Sequence, residues 1–509
     1  MKYFGLISAL IFAVLQAGAQ QKQTNAVPPA SLEELQHRID EVINQPGYSG
    51  AMWGVKIASL DSGTTWYSAN PDKLFSPASN SKLYTMALAL DRLGPDYRIK
   101  TSIYAASRPD ASSVIKGDVI IYGRGDPTIS SEFHGSLAGA LEPFVAVLTN
   151  AGVKKIEGDL VGDDSFFHGP RIGSGWDWSD LQVEYGAEIS ALTLNSNVVR
   201  LVIKPGETSG ADARISLSPA TDYISVAGRI MMVAKGKTRN ILLHHPLGQN
   251  MVQVSGEIPV GEGTVVEDVT VREPAGYFAA MLKSQLAARG ITVTGRAVSV
   301  GDVERQSRPF HAAEWIELGV VESQPFRRMI ASVEKQSQNL YTDLLLEHIG
   351  SMDGVRSGET SEEAGIAQLN KFLAKAGIPR GETIFDEGSG LSRNNLTTPD
   401  ATVTLLSYMS RRKDFPVYYD ALPIAGVDGT LRYRFNGTAA EGNLRAKTGT
   451  LRWASSLSGY MTNAAGEHLV FCMMLNRHQN GDSGQSKTHD MDAIVEMLAG
   501  TRLHGAAGH

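Results

Sequence analysis

The chain has 509 residues, 42% apolar and 20% charged, with 47 basic against 54 acidic side chains and a formal charge of −7. This composition excludes a disordered polypeptide, and so small a net charge for the length leaves no basic footprint for nucleic acid. The single cysteine, Cys472, excludes an internal disulfide and a thiolate metal cluster, and its apolar run from Leu469 to Leu475 predicts a buried strand thiol.

At about 150 residues per domain, the length predicts roughly three domains. Lys2, the apolar stretch Phe4 to Leu15 and the small residues Ala17-Gly18-Ala19 predict a cleaved export signal over 1–19. That stretch is too short for a comfortable membrane span, and no later segment is longer, so a soluble, exported (periplasmic) mature protein is expected. After the tether Ala26 to Ala30, Ser31-Leu32-Glu33-Glu34 has the pattern of a helix start, with Leu32, Leu35, Ile39, Val42 and Ile43 at helical spacing. Met52 to Ser59 and Thr64 to Ser68 flank the turn Asp61-Ser62-Gly63 and predict a hairpin. A helix is expected from about Ser79 to Gly94.

From about Tyr97 to Val300 the texture changes to short β-branched runs between glycine-containing turns, including Val114 to Tyr122, Lys155 to Val161, Val198 to Lys204 and Gln253 to Ile258. Helical patterns interrupt them at Leu137 to Ala151 and Ala275 to Arg289, and long ones return at Met329 to Ile349, Glu362 to Ala376 and Pro399 to Arg411. Strands at Ala454 to Met461 and His468 to Leu475 and a helix near Met491 to Leu503 complete the chain. The expected architecture is an α/β (α+β) body over 20–96 and 301–509, interrupted over 97–300 by a β-rich insert of two nested modules.

Three short patterns carry chemistry. In Ser79-Asn80-Ser81-Lys82, residues i and i+3 share a helix face, so a serine hydroxyl lies beside an amine. Serine is a poor nucleophile until a base takes its proton, and a desolvated lysine can be that base. Alone the pattern is weak, with roughly two chance matches in a chain this long. Ser337-Gln338-Asn339 can aim a hydroxyl and an amide into one site from a loop or helix end, although a polar helix cap looks the same. In Lys447-Thr448-Gly449-Thr450, strand alternation puts Lys447 and Gly449 on one face and Thr448 and Thr450 on the other. A glycine there lets a substrate backbone approach.

In this order the three patterns resemble the signature of the penicillin-recognising serine enzymes, which include D-alanyl-D-alanine peptidases and serine β-lactamases. Ser79 and Ser337 stand 258 residues apart, far more than in compact members. That separation is similar to the low-molecular-mass class C penicillin-binding proteins, the D-alanyl-D-alanine carboxypeptidase/endopeptidase family. Further stretches that resemble it are Phe75 to Ser79, Gly125 to Thr128, Gly162 to Phe167, Leu422 to Gly426, and Gly388-Ser389-Gly390-Leu391-Ser392-Arg393, the last preceded by an unexpected Glu387.

The resemblance implies a serine β-lactamase/penicillin-binding-protein-like transpeptidase core. It implies hydrolysis of peptidoglycan stem peptides ending in D-Ala-D-Ala through an acyl-enzyme, with β-lactams as covalent inhibitors and no metal or cofactor. Ser79 would be the nucleophile, Lys82 its base, Ser337 a proton relay, and Asn339 a clamp on the substrate amide or on Lys82. Lys447 and Thr448 would attract the substrate carboxylate, beside Gly449, and the N–H groups of Ser79 and Thr450 would form the oxyanion hole. Lys447 is also expected to keep Lys82 neutral by repulsion. In the family, an acid from the insert and the arginine of the Gly-Leu-Ser-Arg motif hold a diaminopimelate side chain. Arg393 matches that arginine, and Asp163 or Asp164 is the candidate acid, with plain turn chemistry as the alternative. A β-lactamase or esterase on the same core and a wall-binding protein with a decayed site remain as other readings.

Overall fold

The computed structural model describes residues 28–478 and 488–505, and the expected export signal over 1–19 lies outside them. Two compact units emerge: Trp178–Glu188 with Asn197–Glu273, and a larger one comprising Pro28–Asp177, Ile189–Ser196 and the chain from Pro274 onward.

The larger unit is built on a five-stranded antiparallel sheet in the order Thr65–Ala69, Met52–Ser59, His468–Asn476, Ala454–Thr462, Arg445–Leu451. The central strand His468–Asn476 shows why its sequence is apolar almost throughout. Side chains alternate across a strand, so a strand covered on both faces feeds two cores. Val470, Cys472 and Met474 join a core with Leu83, Met86, Leu344, Leu405 and Met409. Leu469, Phe471, Met473 and Leu475 join another with Leu35, Ile39, Met491 and Ile494. Cys472 is thus a buried strand thiol, as expected. On the second face the helix Leu32–Ile43 starts at Ser31, whose Oγ accepts the Glu34 N–H at 3.1 Å.

A second, mixed five-stranded sheet runs Ala297–Val300, Leu160–Asp163, Val119–Tyr122, Lys100–Ala105, Ile316–Glu322. Here two expected strands each divide. Val114 to Tyr122 breaks into Val114–Lys116 and Val119–Tyr122, and Lys155 to Val161 into Lys155–Glu157 and Leu160–Asp163. The first halves pair with each other in a small three-stranded sheet and the second halves pair in the larger one. The crossing is possible because Gly117 and Gly158 meet there, where a Cβ on Gly158 would lie 2.3 Å from the Gly117 carbonyl. Gly158→Val is therefore expected to destabilise the protein by about 1–3 kcal/mol, read as a lower urea midpoint.

The smaller unit is mainly β. Val198–Lys204 is central to a three-stranded sheet with Arg214–Ser218 and Val265–Thr270, and Met251–Pro259 pairs with Ser225–Gly228, Met231–Val233 and Asn240–His244. Among the described residues no helix is long and apolar enough to cross a membrane.

One further departure matters for the site. The helical pattern from Met329 to Ile349 is two helices, Phe326–Gln336 and Asn339–Ser351, broken at Ser337, which has φ +61°.

Candidate active site

Ser79 lies in the tight turn Ala78–Asn80 that leads into the helix Ser81–Leu93, and it is partly exposed. The residue before it, Ala78, has φ +49°, a conformation that costs a non-glycine residue about 1–2 kcal/mol. Bonds to the neighbouring strand hold the turn in place. Ser456 Oγ donates to the Pro77 carbonyl at 2.6 Å and Asn80 Nδ2 donates to Ser458 Oγ at 2.7 Å. Gly449 belongs to the same contact. A Cβ there would lie 2.2 Å from Ser456 Oγ and 2.6 Å from the Pro77 oxygen. The glycine of the Lys-Thr-Gly pattern is thus required by the protein's own turn at Ser79, a reason separate from substrate approach.

Lys82 follows one helical turn after Ser79 and is fully buried. As an ammonium its Nζ donates to Ser79 Oγ at 3.1 Å, to Asn339 Oδ1 at 2.6 Å and to the Ser389 carbonyl at 2.6 Å. The last two acceptors are carbonyl oxygens and cannot donate. When Lys82 is a neutral amine, its two N–H groups stay on them and its lone pair is left for the Ser79 hydroxyl. Burial pushes the Lys82 pKa down, against the opposing charges of Asp343, Glu387 and Glu334. The sequence expects both desolvation and repulsion by Lys447 to do this, and the dominant cause here is loss of water.

The helix break brings Ser337 to Lys447. Lys447 Nζ, also fully buried, donates to Ser337 Oγ at 2.9 Å and to the Thr448 carbonyl at 3.0 Å. Had the helix continued through Ser337, its hydroxyl would follow the helix surface; the left-handed conformation at the helix end redirects it. Lys335, just before, is engaged elsewhere, with Asp428 at 2.5 Å and the Leu422 carbonyl at 3.2 Å. On the strand Arg445–Leu451, Lys447 and Gly449 are buried while Thr448 is half-buried and Thr450 exposed, the alternation the sequence predicts. Thr448 Oγ1 donates to Thr430 Oγ1 at 2.7 Å, which ties the strand to the turn Gly429–Leu431.

Asp163 and Asp164, open in sequence between a substrate pocket and turn chemistry, are both engaged within the protein. Asp163 Oδ2 accepts from Arg305 Nε at 2.9 Å and Nη2 at 2.5 Å, and its Oδ1 accepts the Ser165 N–H. Asp164 accepts from Arg171 Nε at 3.0 Å and from Ser190 Oγ at 2.8 Å. Both aspartates are buried in these structural pairs. The acid that pairs with Arg393 is instead Asp177, with Oδ2 3.1 Å from the guanidinium Nε, on a partly exposed pair.

Glu387, outside the expected motif, organises the loop behind Lys82. Its fully buried carboxylate accepts from the Ser389 N–H at 2.9 Å, the Gly390 N–H at 2.7 Å, Asn395 Nδ2 at 2.7 Å and the Ser389 hydroxyl. That loop carries the Ser389 carbonyl to Lys82. An acid in a Gly-Ser-Gly stretch reads in sequence as a solvated turn residue, which is why its part is not visible there.

The model of the D-Ala-D-Ala carboxypeptidase 3 (S13) family matches residues 35–499. A D-alanyl-D-alanine carboxypeptidase of Actinomadura sp. (strain R39) is 32% identical over 491 residues, spanning 94% of this chain and 86% of the relative. The D-alanyl-D-alanine carboxypeptidase DacB of Haemophilus influenzae is 28% identical over 417 residues, 81% of this chain and 82% of that protein. The crystal structure of penicillin binding protein 4 (dacB) from Haemophilus influenzae aligns with a TM-score of 0.77 at 25% identity, covering 91% of this chain and 99% of that one. The same Haemophilus protein has also been solved in complex with a β-lactam.

Proposed function

The chain belongs to the D-Ala-D-Ala carboxypeptidase 3 (S13) family, and from that premise we propose that it is a serine D-Ala-D-Ala carboxypeptidase, with D,D-endopeptidase action on cross-links open to the same site, acting on exported peptidoglycan stem peptides and acylated by β-lactams. The observation that carries the reading is the bond from Lys82 to Ser79, with the other two Lys82 contacts given to carbonyls.

In the proposed reaction Ser79 Oγ attacks the carbonyl carbon of the penultimate D-alanine as its proton passes to Lys82 Nζ. The oxyanion is received by backbone N–H groups of Ser79 and Thr450; Thr450 lies on an edge strand of its sheet, with one row of N–H groups directed away from its neighbour. The C–N bond then breaks, the leaving amine takes the Ser337 proton, and Lys447 resupplies it through their 2.9 Å bond. The proton that Lys82 took from Ser79 passes on to Lys447, restoring the ammonium there and a neutral amine at Lys82; water then attacks the ester with Lys82 as base, and Lys82 returns that proton to Ser79 Oγ as the ester C–O bond breaks. Lys447 and Thr448 attract the terminal carboxylate, and Arg393 with Asp177, rather than Asp163 or Asp164, supplies the opposed charges for a zwitterionic side chain on the substrate.

Replacing Lys447 with methionine removes that cationic contact. The preference for a peptide with a free C-terminal carboxylate over its amide is expected to fall by about 10–100-fold, measured as the ratio of kcat/KM values. The activity itself is tested by incubating the purified protein with diacetyl-Lys-D-Ala-D-Ala and with a chromogenic cephalosporin. Release of D-alanine with slow cephalosporin turnover supports the peptidase; rapid cephalosporin hydrolysis without D-alanine release would instead favour a β-lactamase. Digestion of sacculi followed by muropeptide mass spectrometry separates loss of terminal D-alanine from loss of dimers, and so carboxypeptidase from endopeptidase action.

A further inference from the structure

Ser337 meets Lys447 because the chain leaves the helix Phe326–Gln336 in a left-handed conformation and starts the helix Asn339–Ser351 two residues later. Two helices joined so briefly form a hinge, and a change in their angle would carry the hydroxyl away from Lys447. A reacting group displaced by about 1 Å can lose about 10²-fold in rate. The angle therefore has to be held from both sides of the break. On one side Lys335 does this, through Asp428 and the Leu422 carbonyl.

On the other side stands Glu132, on the single-turn helix Ser131–His134 and outside all three sequence patterns. Its carboxylate accepts from both helices. Oε1 takes the Ser332 hydroxyl at 2.6 Å and Gln336 Nε2 at 3.2 Å, from the helix before the break. Oε2 takes the Tyr341 hydroxyl at 3.3 Å, from the first turn of the helix after it. One carboxylate thus spans the break.

The chain around Glu132 is tied in place. Asp126 Oδ1 accepts the Thr128 N–H and the Thr128 hydroxyl, each at 2.7 Å, and Thr128 Oγ1 accepts the Gln324 N–H at 3.1 Å. Gln324 lies just before the helix Phe326–Gln336, so the short segment from Thr128 to Glu132 is bonded at both ends of that helix. Asn195 and Ser196 add a second tie, both in the left-handed conformation that a side chain disfavours, with φ +51° and +57°. Asn195 Oδ1 accepts the Ser131 hydroxyl at 2.7 Å and the Ser131 N–H at 3.2 Å. Ser196 Oγ donates to the Tyr341 hydroxyl at 3.2 Å, which leaves the Tyr341 proton for Glu132. Strain of this kind clusters where the surrounding contacts serve a function.

We propose that Glu132 is a positioning residue that fixes the angle between the two helices flanking Ser337, and so holds the Ser337 hydroxyl on Lys447 to protonate the leaving amine. The assignment rests on the functional reading above and concerns proton delivery to the leaving group, not the activation of Ser79.

The test compares two substrates that differ in their need for that proton. An amine cannot leave without one, whereas a thiol, ionised at about pH 8.5 as in cysteine, departs as a thiolate. The acylation rate, kcat/KM, is measured for diacetyl-Lys-D-Ala-D-Ala and for its thioester analogue ending in D-thiolactate, in the wild type, Glu132→Ala, Ser337→Ala and the double variant. Glu132→Ala should lose about 10–100-fold on the peptide, and the thioester-to-peptide ratio should rise by about tenfold or more. On the Ser337→Ala background the same substitution should change the peptide rate by less than about twofold. A merely structural role would slow both substrates alike. An unchanged ratio, or losses that add in the double variant, would overturn the assignment and leave the peptidase reading standing. A wild type that releases no D-alanine would instead overturn the peptidase reading, and this one with it. If Glu132→Ala does not fold, Tyr341→Phe decides by the same ratio, because it removes the bond across the break and keeps the ring.

Discussion

Lys82→Met is expected to lower the rate of Ser79 acylation by about 10²–10⁴-fold, the range associated with losing a positioned general base, with little change in fold. Methionine nearly matches the lysine stem in volume and stays buried without a charge, so the helix Ser81–Leu93 keeps its packing. What disappears is the group proposed to receive the Ser79 proton. Asn339 Oδ1 and the Ser389 carbonyl also lose their donor at 2.6 Å, which adds a modest cost in stability. Lys82→Arg is a sharper control, because a guanidinium can donate to the same two carbonyls but never becomes neutral at working pH. It should be as inactive as the methionine variant. The pH profile of the wild type carries the sign: burial lowers the Lys82 pKa, so the fraction of neutral base, and with it acylation, rises with pH at values below those of an exposed lysine. Stopped-flow acylation by penicillin across pH measures both effects.

Glu387→Ala is expected to give the largest loss of stability, on the order of 3–5 kcal/mol, together with a loss of acylation. Removing this carboxylate leaves the N–H groups of Ser389 and Gly390 without their acceptor in a dry interior, and takes one acceptor from Asn395 Nδ2, which keeps the backbone carbonyl of residue 387 at 3.0 Å. Each such orphan carries the full cost of desolvation. The loop then has no reason to hold the Ser389 carbonyl on Lys82, so the second effect follows from the first. Glu387→Gln keeps the shape but offers an NH2 where an acceptor is needed, and it should fall between the alanine variant and the wild type. Urea unfolding measures the stability, and penicillin labelling of the folded fraction measures the acylation.

Much of the reaction centre is legible from local rules. Ser79 and Lys82 are neighbours by helical spacing alone, and the alternation of Lys447, Thr448, Gly449 and Thr450 follows from the strand. The two-faced burial of Leu469 to Leu475 follows from a run with no polar alternation. The rest depends on contacts between distant segments. Ser337 sits inside a continuous apolar repeat, so periodicity runs straight through the break that aims its hydroxyl at Lys447. Gly117 and Gly158 look like ordinary turn glycines until Gly158 is seen against the Gly117 carbonyl and Gly117 against the Ala106 side chain. The resemblance points to Asp163 or Asp164 as the acid opposite Arg393, but those are engaged by Arg305 and Arg171. Asp177, isolated between Trp176 and Trp178, gave no local signal. Glu387 is hidden for a physical reason: a lone glutamate reads as solvated, and only tertiary burial makes it structural.

The central claim is that Ser79 is the residue acylated, with Lys82 as the base that activates it. Peptide mass spectrometry after brief exposure of the wild type and Ser79→Ala to penicillin tests this most directly. A penicilloyl adduct on the peptide containing Ser79, absent from Ser79→Ala, is the predicted result. An adduct on another peptide, or equal labelling of the two proteins, would contradict it.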